Sequence, residues 1–492
     1  MTDPPTASPT RWLASRRVVL GEGEALRVVP ALIELTEPYV GRVEPLEEDA
    51  YAERVSRARA AGDEVTDHGD RLVSPAFVNA HTHLSLGMLR GFNLAAAARG
   101  NMVEELFFAV ESTLTAEDVR AFTRMGAYES LLNGVGLVWD HYYFGETVAE
   151  ALAEVGLSGV VAPTLQDLSG PGKDAHDEQL EATERIDDRE DLRARGIFAA
   201  LGPHATDTVS DRLWRKALHM ATARKLPLHA HLAQSPEEVQ RAQQRHGLSP
   251  VGWLDRLGVL ERAPATVLAH AIYVSREELE RLAEGHHRLV WCPMSALVFG
   301  LPARIGVWSA HAVPWALATD CASNNDTNNV QAELRLIAAQ RTVGASWSPA
   351  YERVLGARGG VDDEARRAWD ERASLFAHGE RLADPANMLS RVWSIPGRAH
   401  PGVVAGVIET GALCNLVVWD LDHPALWPAL DPLHVLAMAD ATKAIYAMVV
   451  AGRAVGVDGD FHRSLIDTDA YRDARSEATD RVTRLLEAAR GL

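Results

Sequence analysis

Residues 228–238 read LHAHLAQSPEE. A short apolar stretch carries histidines at alternate positions and runs directly into Ser235-Pro236-Glu237-Glu238. That tetrad matches a capping box, with serine at the N-cap, proline at the first helical position and glutamate at N3. The reading is strand, short loop, helix, with Gln234 in the loop at the strand's C-terminal end. Ser275-Arg276-Glu277-Glu278 repeats the signal after the apolar run 266–269 and places His270 in or near the equivalent loop.

Extending this unit in both directions gives an alternating text. Apolar strands are expected at 73–79, 136–141, 158–163, 197–203, 226–229, 266–269, 288–291 and 315–319, with amphipathic helices such as 116–133, 211–224, 236–246 and 276–284 between them. Eight strands alternating with helices predict an α/β fold, a (β/α)8 TIM barrel, over residues 75–389. Chemistry in such a barrel sits on the loops after the strands. β-type text returns at both ends, at 17–20 and 31–35 and again at 403–408, 413–419 and 444–452. Residues 11–74 plus 390–460 are therefore expected to form a second domain. The charged stretch 44–70 separates the first β segments from the barrel, 346–384 reads as a helical insertion, and 461–492 as a helical tail.

Composition sets the class. The 492 residues are 47% hydrophobic and 24% charged, as in an ordinary globular protein, and the net charge of −19 disfavours nucleic acid or an anionic membrane as partner. Three cysteines, Cys292, Cys321 and Cys414, form no CxxC spacing and fit a reducing compartment. No basic segment followed by an apolar run opens the chain, and no apolar stretch is long enough to span a bilayer. The expectation is a cytoplasmic protein with a small-molecule partner.

His81-Thr82-His83 follows the apolar run LVSPAFVNA, so both imidazoles face one side of a strand. A lone HxH is weak, because buried strand histidines are often only hydrogen-bonded. Here a second pair, His229 and His231, also ends a strand, His270 follows TVLA, and Asp320 follows WALAT. Imidazoles with one carboxylate, converging at one end of a barrel, make a divalent-metal pattern with room for water. Plainer readings hold elsewhere. His286-His287 read as solvated loop residues, Cys292 as a packed thiol, and the tryptophans Trp139, Trp393 and Trp419 as core.

The motifs Pro75–Leu84 (PAFVNAHTHL), Gly202-Pro203-His204, His229–His231, Leu268-Ala269-His270 and Thr319–Asn325 (TDCASNN) resemble the amidohydrolase superfamily. The likeness is to its branch of cytosine, guanine and S-adenosylhomocysteine deaminases and triazine hydrolases, and it spans roughly residues 70–330. It implies a small composite β-sandwich built from the terminal segments. His81, His83, His231 and Asp320 would ligate one divalent metal, zinc by default and iron as the alternative. His270 and Asp320 would handle water and protons, with His229 supporting the ligands. His204, Arg90, Asp140 and Asn324 are the expected substrate contacts. Binuclear relatives carry a lysine on the fourth strand; IFAALGPH has none, which favours one metal. Homo-oligomerisation is a further expectation from the family.

The resemblance implies a metal-dependent hydrolase acting on a non-peptide carbon–nitrogen bond, most directly a deaminase of an aminated nitrogen heterocycle. In such deaminases a glutamate three residues after the second histidine of the pair carries a proton to the leaving amine. Here that position is Gln234, which hydrogen-bonds but carries no proton. Three readings follow. Another group, Asp140 or His141 or the Asp320–His270 pair, moves the proton; or the leaving group is a halide or similar; or the site binds without turnover, against which stands the retention of all four ligands and His270. Two loops also depart from the family: LAAAARGNMVEELF lacks the acidic pair and tryptophan, and Cys292-Pro293-Met294-Ser295-Ala296 has alanine where relatives carry asparagine.

Overall fold

The first strands carry short runs rich in β-branched and other apolar residues: β1 (Arg11–Leu20), β2 (Arg27–Leu35), β3 (Val40–Pro45), β4 (Glu64–Asp67) and β5 (Leu72–Pro75). The computed structural model describes residues 9–91, 103–301, 304–346, 363, 367 and 382–490. Within it the chain continues through β6 (Phe77–Thr82), β7 (Val135–Tyr142), β8 (Ser158–Leu165), β9 (Ile197–Ala199), β10 (Gly202–Pro203), β11 (Leu228–Leu232), β12 (Thr266–His270), β13 (His287–Trp291) and β14 (Trp315–Leu317). It returns to sheet at β15 (Leu416–Trp419), β16 (Ile445–Val450) and β17 (Arg453–Val455).

Strands from both ends of the chain share one eight-stranded sheet, ordered β17-β16-β15-β5-β1-β2-β3 with β4 on β1. The middle strands make two parallel sheets. One runs β10-β8-β7-β6 with β9 on β8, the other β11-β12-β13-β14. Single parallel bridges, Leu201–Leu228 and Thr82–Asp320, join these two sheets at both edges. Every residue of β6, β7 and β8 is buried, which explains their near-continuous apolar text.

Several expectations need correction. The stretch 403–408 is not a strand among the described residues. Gly406 has φ +66°, and the backbone is satisfied by loop bonds from Ala405 N–H to the Gly397 carbonyl and from Leu413 N–H to the Val404 carbonyl. The expected strand 197–203 is broken at Ala200–Leu201 into β9 and β10, and the strand expected at 226–229 lies at Leu228–Leu232, so both histidines of the opening motif are within it. The charged separator contains a helix, Tyr51–Ala60, which packs Tyr51, Val55 and Ala58 inward. His287 is a buried β13 residue rather than a loop residue, bonded to Thr266 Oγ1 at 2.9 Å and to the Leu260 carbonyl at 3.1 Å. The tail is helical as expected, Phe461–Ile466 and Asp469–Arg490. Most of the expected insertion 346–384, and residues 92–102, lie outside the described residues.

Candidate metal centre and active site

Each strand end contributes by geometry rather than by loop length. His81 and His83 alternate at the end of β6, so both rings reach the same side, and β11 does the same with His229 and His231. Three chain reversals after strands use left-handed backbone at non-glycine residues: Ala233 (φ +46°), His270 (φ +72°) and Asp320 (φ +61°). Such conformations are costly for residues with a Cβ and concentrate where side chains must be aimed. Asn79 fixes the Asp320 turn from across the junction. Its Nδ2 donates to Thr319 Oγ1 at 2.8 Å, and its Oδ1 accepts from the Thr319 N–H at 3.1 Å.

The ligand atoms converge. Ring nitrogens of His81, His83 and His231 lie within 4.8 Å of one another, as do those of His81 and His270 with an Asp320 oxygen. Asp320 Oδ1 is 3.7 Å from His81 Nε2 and 3.5 Å from His83 Nε2, and the Nε2 atoms of His83 and His231 are 3.3 Å apart. The other nitrogen of each ring is committed: His83 Nδ1–H to the His141 carbonyl at 2.5 Å, His231 Nδ1–H to the His204 carbonyl at 2.9 Å, and His81 Nδ1 to His229 Nε2 at 2.8 Å. His81 Nε2 is left buried with no hydrogen-bond partner. A buried, unpaired imidazole nitrogen aimed at two other imidazoles and a carboxylate is the donor set of a divalent cation, with the outer nitrogens fixing each tautomer. Burial holds His81, His83 and His231 neutral by lowering their pKa values, the protonation state a ligand needs.

Asp320 is oriented by its outer oxygen. Oδ2 accepts from Ser295 Oγ at 2.7 Å and from Asn324 Nδ2 at 3.4 Å, while Asn324 also donates to Ser295 at 3.0 Å. Asn324 therefore lines the site and holds Asp320. Beside these groups is a cavity lined by His204, Gln234, His270 and Asn324. His204 is bonded through Nδ1 to Thr208 Oγ1 at 2.9 Å, and burial lowers its pKa to about 3. The Gln234 side chain lines the cavity while its N–H donates to Glu238 Oε2 at 2.8 Å.

Two expected substrate contacts are not brought there. Arg90 points away and pairs with Glu129, on whose helix it is anchored, because that carboxylate is its nearest counter-charge. Asp140 does not line the cavity. Its Oδ2 accepts the Leu84 N–H at 2.8 Å and so supports the chain just beyond His83. His141 does line it, with Nδ1 bonded to Thr164 Oγ1 at 3.0 Å. The capping box at Ser235 is half formed. Ser235 Oγ accepts the Glu238 N–H, but the Glu238 carboxylate turns to Gln234 N–H and Thr206 Oγ1 instead of the N-cap amide.

Sequence reasoning missed one carboxyl. Glu111, at the end of the Phe108–Glu111 helix, is only 8% exposed and lines the cavity with Tyr142 and Tyr143. Burial raises its pKa to about 8. Its one signal in the text is a lone acid closing the apolar run LFFAVE, which belongs to no motif.

A model of the amidohydrolase family matches residues 72–352. The chain is 28% identical over 424 residues to a 5-methylthioadenosine/S-adenosylhomocysteine deaminase of Haloarcula marismortui, covering 85% of this chain and 88% of that one. Among solved structures, an adenosine deaminase from Xanthomonas campestris with bound zinc aligns at TM-score 0.74 and 21% identity, covering 97% of this chain and 99% of that one. Atrazine chlorohydrolase from Arthrobacter aurescens TC1, complexed with zinc, aligns at TM-score 0.72 and 19% identity, covering 96% and 99%. With a family match over more than half its length and the histidine–aspartate cluster at the ends of its parallel strands, the chain belongs to the amidohydrolase family.

Proposed function

We propose that this protein is a mononuclear, metal-dependent deaminase of an aminated nitrogen heterocycle, with zinc as the metal and an adenine-type nucleoside as the substrate class. The observation that carries the reading is the convergence of His81, His83, His231 and Asp320 at the wall of a cavity that opens beside them. The nucleoside class is supported by the likeness to a 5-methylthioadenosine/S-adenosylhomocysteine deaminase along most of both chains. In this reading residues 75–389 form a closed (β/α)8 barrel, supported by the bridges at both edges of the two parallel sheets. Residues 11–74 plus 390–460 form the composite β domain, and 461–492 its helical tail.

His81, His83, His231 and Asp320 would hold a divalent cation, which would acidify water toward neutrality. The chain's own groups do the rest. Asp320, fixed through Oδ2 by Ser295 and Asn324, presents Oδ1 to accept the water's proton and return it to the leaving nitrogen. His270, kept neutral by burial and aimed by its left-handed backbone, hydrogen-bonds oxygen at the reacting carbon. Gln234 can orient the ring edge by donating and accepting without changing protonation.

Gln234 supports a second reading, displacement of a leaving group such as halide that needs no proton. One experiment separates the two. Metal-stripped protein is reconstituted with zinc and assayed for ammonia from aminated purine nucleosides and for halide from chlorinated heterocycles, alongside Asp320→Ala. Zinc-dependent ammonia release, abolished in the variant, is expected. Halide release without ammonia would overturn deamination in favour of the second reading.

A further inference from the structure

We propose that Glu333, a buried carboxylate outside the metal-side cavity, is a positioning residue that sets both the side chain and the backbone of Asp320. This inference rests on the reading above, in which Asp320 is a metal ligand. Glu333 lies in the helix Val330–Ser346, is 2% exposed and does not line the cavity. No lysine or arginine pairs with it among the described residues. Its two oxygens go to different segments. Oε2 accepts the Met294 N–H at 2.9 Å, just after β13, and Oε1 accepts from Asn325 Nδ2 at 2.8 Å, in the turn after β14. Both partners present N–H donors, so both oxygens accept, as a carboxylate does.

Each bond fixes the neighbour of a group that holds Asp320. Met294 precedes Ser295, whose Oγ donates to Asp320 Oδ2 at 2.7 Å. Asn325 follows Asn324, whose Nδ2 reaches the same oxygen at 3.4 Å and Ser295 Oγ at 3.0 Å. Asn325 Nδ2 also donates to the Thr319 carbonyl at 3.1 Å, on the peptide that leads into Asp320. Asn79 accepts the Thr319 N–H on the other side. One carboxylate thus reaches Asp320 by two routes, through Ser295 to its carboxyl and through Asn325 to its turn. That turn is left-handed, with φ +61° at Asp320, a conformation held by a residue with a Cβ only where its surroundings impose it.

Packing alone does not account for Glu333. Burying a carboxylate without a counter-ion is unfavourable, and an apolar side chain would fill the same space more stably. What the carboxylate adds is two acceptors at a fixed separation, one for each segment. An amide cannot replace it. In Glu333→Gln one oxygen becomes an NH2 group that faces a donor. Set against Met294, it meets a backbone N–H that cannot turn. Set against Asn325, it forces that amide to flip, and the Asn325 oxygen then opposes the Thr319 carbonyl. Either way one of the two routes is lost.

The test compares full-length wild type with Glu333→Gln, Ser295→Ala and the double variant, each stripped of metal and reloaded with zinc or cobalt(II). Zinc affinity is read by chelator competition, ligand geometry by the visible absorption of the cobalt form, and folding by urea midpoints. Glu333→Gln is expected to weaken zinc binding about 10–100-fold and to shift the cobalt bands. Its kcat for ammonia release is expected to fall by a similar factor, with KM within about threefold. The double variant is expected to lose less affinity than the product of the two single losses, because both residues act on Asp320. Zinc affinity within about threefold of wild type with an unshifted cobalt spectrum overturns the role, whatever the urea midpoint does, as do losses that simply multiply. If Glu333→Gln does not fold, Asn325→Ala leaves the bond to Met294 in place and carries the same expectation for zinc and cobalt; unchanged values there overturn the role. Wild type that binds no zinc overturns the metal centre and this role with it. Wild type that binds zinc but releases no ammonia overturns the deamination reading alone, since the zinc and cobalt readings still decide the role.

Discussion

At the scale of single residues, the candidate ligand set is defined as much by what each imidazole does with its outer nitrogen as by where its inner one points. His81 is the extreme case. Its Nδ1 is held by another histidine, His229, whose own remaining nitrogen is buried without a partner. His229→Ala removes the group that fixes the His81 tautomer and ring, and is expected to weaken zinc affinity about 10–100-fold, measured by competition with a chromogenic chelator. The histidine–aspartate cluster was legible because alternate histidines recur at two strand ends, with His270 and Asp320 at the ends of two more. Glu111 was not, because a carboxyl's burial is a tertiary fact. Nothing in FFAVEST distinguishes a cavity wall from a solvated turn. Arg90 misled for the complementary reason: a positive charge after the first histidines suggests an anion, but the nearest carboxylate belonged to the protein itself.

At the scale of elements, two helices with the same serine and glutamate cap positions were built differently. Ser275 makes a complete capping box, with Glu278 returning to the Ser275 N–H at 2.7 Å. Ser235 makes half of one, since Glu238 serves the amide of Gln234. Ser275→Ala is expected to lower unfolding free energy by about 1 kcal/mol with unchanged activity, by chemical denaturation and steady-state assay. Ser235→Ala should cost a similar amount in stability and also reduce kcat, because the same helix start positions the Gln234 loop. Periodicity and caps gave the strands and helices of the middle of the chain with errors of a few residues. The exception at 403–408 shows the limit of apolar content as a guide. Val403, Ala405, Val407 and Ile408 are buried, yet through a loop whose backbone bonds are satisfied locally.

At the scale of the molecule, the termini return to support the parallel strands. The last helix, Asp469–Arg490, reaches back to the helix Ala116–Leu132. Arg481 Nη1 meets Asp118 Oδ1 at 3.1 Å, Arg484 meets the same oxygen, and Arg124 Nη1 meets Glu477 at 3.1 Å. Asp118 is fully buried, so removing its cations leaves a charge with only the Thr115 cap bonds. Replacing Arg481 and Arg484 together by alanine is expected to destabilise the fold by about 2 kcal/mol, read from urea midpoints. This coupling was invisible in the sequence, where both arginines belong to an ordinary charged helix.

The pair of bonds between Asn79 and Thr319 joins positions 240 residues apart. During synthesis the first histidines leave the ribosome long before the aspartate that completes their set. At about 5–20 residues per second, the interval is roughly 10–50 s. Throughout that interval the chain carries the histidines without Asp320. The cluster of His81, His83, His231 and Asp320 is thus completed late in synthesis, once Thr319 has emerged to meet Asn79.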